Sequence, residues 1–327
     1  MPPRYQKQLD WLTVWVCGTC IGLLAADVVI GTYNAGLSPV KPSHFTPMVF
    51  MLCMGTCILS KPRLCLPAIL LMLLPVTRLL DVAVLGRFAS SGAHEMTMSC
   101  LRVLMVVLSI LAVLACPQGI RAMRWAAILT ILLTSGSSIA EFLGVAQFSS
   151  IPGRFSGFNG HPNSPPIVLC QCLGLCFALV PSFRWNVALI AAAMPGVALT
   201  YGRSGMVIFA FITGMYILLN ARRHIGFLMI CAYAMVPLIV GGFAIMQQRT
   251  QKGFQKDKNT ADRLEAIYNL DFEKLKSPER AKDLADAWEA VLQKPVFGWG
   301  VGAASARWAP HNEYVAMWLE LGVPGLL

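Results

Sequence analysis

Apolar residues along this chain gather into long runs separated by short polar connections, at about residues 11–30, 45–59, 64–80, 99–116, 125–147, 166–181, 186–201, 205–220 and 225–246. Most approach the roughly 17 to 25 residues that a helix needs to span a bilayer, and those at 45–59 and 186–201 are short. The pattern changes after 246, where 247–310 is polar, and becomes apolar again over 311–327. It predicts an all-α fold: a polytopic transmembrane helix bundle of nine spans over 1–246, a large, partly helical extracytoplasmic loop over 247–310, and the start of a tenth spanning helix over 311–327. A cleaved signal peptide does not fit the first run, because Asp27 interrupts it and no small-residue cleavage site ends a compact apolar core.

Composition agrees with the pattern. Of the 327 residues 56% are apolar and 13% charged, whereas soluble domains carry about a quarter charged residues, so the chain lacks the polar surface of a soluble body. The net charge of +10 would suggest nucleic acid in a soluble protein, but here it follows the enrichment of cytoplasmic loops in Lys and Arg. With the N-terminus inside, nine basic residues (Arg4, Lys7, Lys61, Arg63, Arg121, Arg124, Arg184, Arg222 and Arg223) fall in cytoplasmic connections, against five (Lys41, Arg78, Arg87, Arg154 and Arg203) outside. The expected surroundings are therefore a lipid bilayer and no nucleic acid. The loop at 247–310 carries eleven basic and nine acidic residues, a mixture that reads as a folded excursion rather than a polybasic tail. The eleven cysteines lie in or beside apolar runs, none after Cys231, so disulfides in the outer loop are excluded, and the Cys17/Cys20 CxxC reads as helix filler.

Ionisable residues inside spans are costly and usually have a reason to be there. Asp27, Arg78, Asp81, Arg102, Glu141 and Arg203 all fall toward the outer ends of their runs, and the outer stretch GRFSGFNGHPN adds Arg154, His161 and Asn163. This distribution points to a polar site at the outer boundary of the membrane, with snorkelling to the interface or structural pairing as the alternative for each residue. Within the loop, 277–294 reads as an amphipathic helix: Ser277 suits the N-cap, Pro278 the first helical position, and Ala281, Leu284, Trp288, Val291 and Leu292 recur at helical spacing. Arg280 lies in its first turn, where a cation opposes the helix dipole unless an anion such as phosphate sits between them; a solvated arginine is the alternative. Pro295 ends the helix, GWGVG follows, and APHNEYVAMWLELGVPG opens the last apolar segment with His311 and Asn312. The glycine run is not a P-loop, since the Lys-Ser/Thr ending is missing.

In order, RFSGFNGHPN at 154–163, TYGRSG at 200–205, the Arg280 helix running into PVFGWGVG at 295–302, and HNEYVAMWLELGVPG at 311–325 resemble the O-antigen ligase-like membrane proteins. These include lipopolysaccharide O-antigen ligases, O-antigen polymerases and protein O-oligosaccharyltransferases. The resemblance covers about 150–327 through motifs, the last being the most specific, and the first half only by hydropathy. It implies a glycosyltransferase of the bacterial inner membrane that moves a glycan from an undecaprenyl diphosphate carrier to lipid A-core or to a growing glycan. The implied catalytic residues are Arg203, Arg280 and His311, with Arg154, Asn163 and Asn312 as substrate-binding candidates. The family commonly carries Trp four residues after the loop arginine, where Leu284 stands here, and relatives continue into further helices past the position of Leu327, so the chain is expected to be cut short.

Those residue types suit the chemistry. A sugar on a diphosphate already has a leaving group, so transfer to an alcohol needs phosphate charge stabilised by arginine forks and a base for the hydroxyl, a task suited to His311. The loop holds no Asp-x-Asp, only Asp271-Phe272-Glu273, and the expected reaction is an inverting displacement that uses no metal and no cofactor. Within the family a polymerase remains the alternative to a ligase. A transporter or flippase is the rival of another class, against which stand the absence of an internal repeat and the crowding of charge at the outer face.

Overall fold

The computed structural model describes residues 3–60, 93–151, 154–202, 205–220, 224, 226, 229, 278–300, 303, 304, 308 and 312–323, with backbone alone at 3, 4, 93–100, 278–281 and 313. The chain opens with α1 (Pro3–Trp11), a wider π-helical stretch at Leu12–Cys17 and α2 (Gly18–Ala25). Together they give an unbroken apolar helix, Tyr5–Ala25, long enough to cross a membrane. There follow α3 (Val28–Asn34), α4 (Pro42–Leu59), α5 (Ala93–Ala115), α6 (Gly119–Phe142), α7 (Ser164–Leu179) and α8 (Phe183–Ala198). Next come α9 (Gly205–Asn220), α10 (Pro278–Gln293) and α11 (Glu313–Leu321). No strand occurs among the described residues, and α4 and α6 are also of membrane-crossing length and composition. The fold is an all-α membrane helix bundle. The apolar runs at 64–80 and 225–246 and most of the polar loop lie outside the described residues.

One boundary differs from the apolar pattern. The run at 11–30 is not one helix: it stops at Ala25, and Asp27 takes φ +52° in the left-handed region before α3 begins. Hydropathy passes over this break because Val28, Val29 and Ile30 are as apolar as the helix before them. Asp is among the few residues that tolerate this backbone, and its carboxylate accepts a hydrogen bond from Asn159 Nδ2 at 3.1 Å.

Lipid offers no hydrophobic drive between helices, so close packing depends on small residues and polar contacts. A Cβ on Gly18 would lie 2.8 Å from the Ala122 carbonyl oxygen, and one on Gly22 3.1 Å from that of Ala126. These glycines let α2 and α6 run backbone to backbone. Trp125 Nε1 then donates to Thr19 Oγ1 at 3.0 Å, and Thr130 Oγ1 to the Gly22 carbonyl at 3.3 Å. Buried Cys17, Val49, Cys53 and Val113 fill the space among α2, α4 and α5, while Ile131, Leu169, Leu173 and Val197 fill that among α6, α7 and α8. The described cysteines are free thiols within or beside this packing. Met51, Ile58, Phe211 and Leu219 face outwards, as side chains in contact with lipid do.

The helix directions bring the end of α2, the end of α6, the start of α7 and the end of α8 to one end of the bundle. There the 145–163 loop touches α3 through Phe158, whose Cα would sit 2.5 Å from a Cβ on Gly31.

Candidate functional site

Glu141 organises this end. It lies one residue before the end of α6 and is buried. Its Oε1 accepts from the backbone amides of Phe148 at 2.7 Å and Ser149 at 2.5 Å, and its Oε2 from that of Gly157 at 2.9 Å. Three amide donors on one carboxylate satisfy a charge that burial would otherwise make expensive. The loop is thereby folded back over α6, where Ser137 Oγ accepts from the Phe158 amide at 3.2 Å. Gly157 adopts φ +56° against Ser137 and Ser138, a place with no room for a side chain.

Arg154 is also buried, at 7% exposure. Its Nε donates to the Thr200 carbonyl at 2.7 Å and its Nη2 to Asn163 Oδ1 at 3.1 Å. The Phe155 amide adds a bond to the Leu199 carbonyl at 3.1 Å. These contacts tie the loop to the turn that ends α8, where Tyr201 has φ +52° and Gly202 N–H donates to Thr200 Oγ1 at 3.3 Å. At the start of α9, Gly205 presses on Pro166 of α7 so closely that no Cβ would fit. Asn163 is exposed, and its backbone amide donates to His161 Nδ1 at 3.3 Å. Beside this face, Leu24, Asp27, Phe45, Arg102 and Val106 line a largely apolar cleft of about 290 Å³.

The C-terminal elements form a second packed group. Ala287, Ala290 and Val291 of α10 are buried against Ala303, Ala304, Val315 and Leu319, whereas Leu284, Trp288 and Leu292 are exposed. The buried stripe thus runs through Val291, which the periodicity selects, and through the two alanines, which it does not, and leaves Leu284, Trp288 and Leu292 outside. Small side chains let the backbones approach, and Trp288 instead meets Trp318 edge-on at 5.4 Å. The glycine segment serves this packing: Gly298 at φ +65° abuts the Glu320 carbonyl, and the amides of Trp299 and Gly300 donate to the Leu319 and Glu320 carbonyls at 2.7 and 3.0 Å. Trp299 Nε1 and Trp318 Nε1 close the joint on the carbonyls of Ala290 and Pro295, at 2.8 and 2.9 Å. Asn312 caps α11, its Oδ1 accepting from the amides of Tyr314 at 3.0 Å and Val315 at 3.2 Å.

Of the residues selected from sequence, Arg154 and Asn163 are in contact and Asn312 is a helix cap. Arg280 lies in the first turn of α10, which begins at Pro278 as the proline suggests, but its side chain is outside the described set, as are Arg203, Ser277 and His311. Tyr201 and Gly202 on one side of Arg203, and Gly205 on the other, are buried. Glu141 stood out only as a charge in an apolar run; its role as a loop anchor depends on contacts up to 16 residues away.

Residues 185–327 match a family model described as O-antigen ligase. The match covers the C-terminal part of the chain and supports the resemblance to an O-antigen ligase-like family. No significant match to a curated protein or to a solved structure was found. The match indicates an O-antigen ligase- or polymerase-type function. The matched region holds Arg203, Arg280 and His311, together with the capped helix α11.

Proposed function

We propose that this O-antigen ligase-like protein transfers a glycan from undecaprenyl diphosphate to a hydroxyl of lipid A-core at the outer side of the bacterial inner membrane, with its N-terminus cytoplasmic. The observation that carries this reading is the family match over 185–327, which spans all three residues whose chemistry the reaction requires. Arg203 and Arg280 bind the diphosphate, His311 takes the proton from the acceptor hydroxyl, and the hydroxyl oxygen bonds to the anomeric carbon. The bond from that carbon to the diphosphate oxygen breaks, and undecaprenyl diphosphate leaves with the electron pair; the anomeric configuration inverts. No metal enters this scheme, since arginine forks supply the charge that a cation would otherwise provide. Packing of α10 against α11 supports it by holding the helix that begins near Arg280 and the helix that follows His311 in one group.

The test is reconstitution with an undecaprenyl diphosphate-linked glycan and lipid A-core, scored by release of undecaprenyl diphosphate. A transporter or flippase releases none. A gene deletion separates the family's two reactions on a lipopolysaccharide gel. Loss of all O-antigen with lipid-linked polymer accumulating marks a ligase, whereas a single repeat on the core marks a polymerase.

A further inference from the structure

Arginine has only donors, so the atom of Asn163 that faces Arg154 Nη2 at 3.1 Å is the carboxamide oxygen. The amide orientation, usually ambiguous from geometry alone, is fixed by this partner. Asn163 Nδ2 therefore points away from Arg154, and its two N–H groups have no partner among the described residues, on a side chain that is exposed. A bond from a cation to the oxygen polarises the amide and strengthens its N–H groups as donors. The same buried guanidinium holds the Thr200 carbonyl at 2.7 Å, which pins the turn leading to Gly202.

We infer that Arg154 is a positioning residue, which aims the Asn163 amide so that its Nδ2 donates to a phosphoryl oxygen of the lipid-linked donor. This rests on the reading that a diphosphate binds at this end of the bundle. It departs from the sequence expectation in that Arg154 acts through Asn163 and the Thr200 turn, while Asn163 alone makes the contact. Phosphoryl oxygen fits because it is a strong acceptor and two neutral N–H donors add no charge to desolvate.

The experiment measures binding of undecaprenyl diphosphate to the full chain in nanodiscs, with thermal stability recorded for each variant. Asn163→Asp keeps an acceptor for Arg154 but turns a carboxylate oxygen toward the ligand; it should fold as the wild type does and bind more than about tenfold more weakly. Asn163→Ala should weaken binding by roughly fivefold. Arg154→Gln should weaken it at least as much, and the double variant Arg154→Gln/Asn163→Ala should be within about twofold of Arg154→Gln alone, because coupled residues are not additive. If Arg154→Gln does not fold, Arg154→Lys, which keeps one donor but not the fork, is taken through the same cycle and should lose part of the affinity. Wild-type binding that Asn163→Asp leaves unchanged, or fully additive losses in the cycle, overturns the inference alone. No binding by the wild type overturns the diphosphate reading and this inference with it.

Discussion

The carboxylate of Glu141 accepts the backbone amide of Gly157 at 2.9 Å, joining the end of α6 to a turn 16 residues later. With the Phe148 and Ser149 amides on its other oxygen, this side chain fixes the loop that carries Arg154 and Asn163. Glu141→Ala leaves three amides without an acceptor, and hydrogen bonds to a charged group are worth about 1.5 to 3 kcal/mol each. The substitution should cost about 3 kcal/mol or more, read as a large fall in the unfolding temperature of the detergent-solubilised protein. Glu141→Gln keeps one oxygen and sets an NH2 group against the remaining amides, so it should fall between the two.

Asp27 combines a left-handed backbone, φ +52°, with a bond from Asn159. Asn tolerates that backbone and retains an acceptor, so Asp27→Asn should unfold within a few degrees of the wild type. Asp27→Ala loses the bond and takes on backbone strain of about 1 to 2 kcal/mol. Equal stability of the two variants would remove this contact from the account.

Gly298 has φ +65° and lies against the Glu320 carbonyl. Gly298→Ala should separate the 295–300 segment from the end of α11 and destabilise the α10–α11 group by more than about 1 to 2 kcal/mol, since strain and steric overlap act together. The expected result is faster hydrogen exchange at the amides of Trp299 and Gly300, with exchange in α6 unchanged.

Asn312 caps α11. Asn312→Ala should lower stability by about 1 kcal/mol, and Asn312→Asp should restore it, since both side chains accept from the amides. Turnover per folded molecule should change little in either. A loss of turnover in Asn312→Ala without loss of stability would instead assign Asn312 a direct contact with substrate.

The helical fold was legible because apolar runs of spanning length have few other readings; the expected runs at 45–59, 166–181 and 205–220 correspond to α4, α7 and α9 within a few residues. The break at Asp27 was not, because the bond that stabilises it comes from Asn159, 132 residues away. The buried face of α10 was legible only in Val291, for a different reason. Periodicity weighs large apolar residues, whereas close helix contact selects Ala287 and Ala290 and leaves Leu284 exposed. Arg154 was legible as a residue with a task, but a guanidinium can bind ligand or backbone equally well, and only its burial and the Thr200 carbonyl distinguish the two.

The proposed reaction is glycan transfer with His311 as the base. Its most direct test measures undecaprenyl diphosphate release and donor binding on the same preparation of wild type and His311→Ala, supplied with lipid-linked glycan and lipid A-core. A general base contributes about 10² to 10⁴ in rate, so the variant should bind donor as the wild type does and release undecaprenyl diphosphate slower by that factor. Release at the wild-type rate from His311→Ala, or no release from the wild type, would contradict the account.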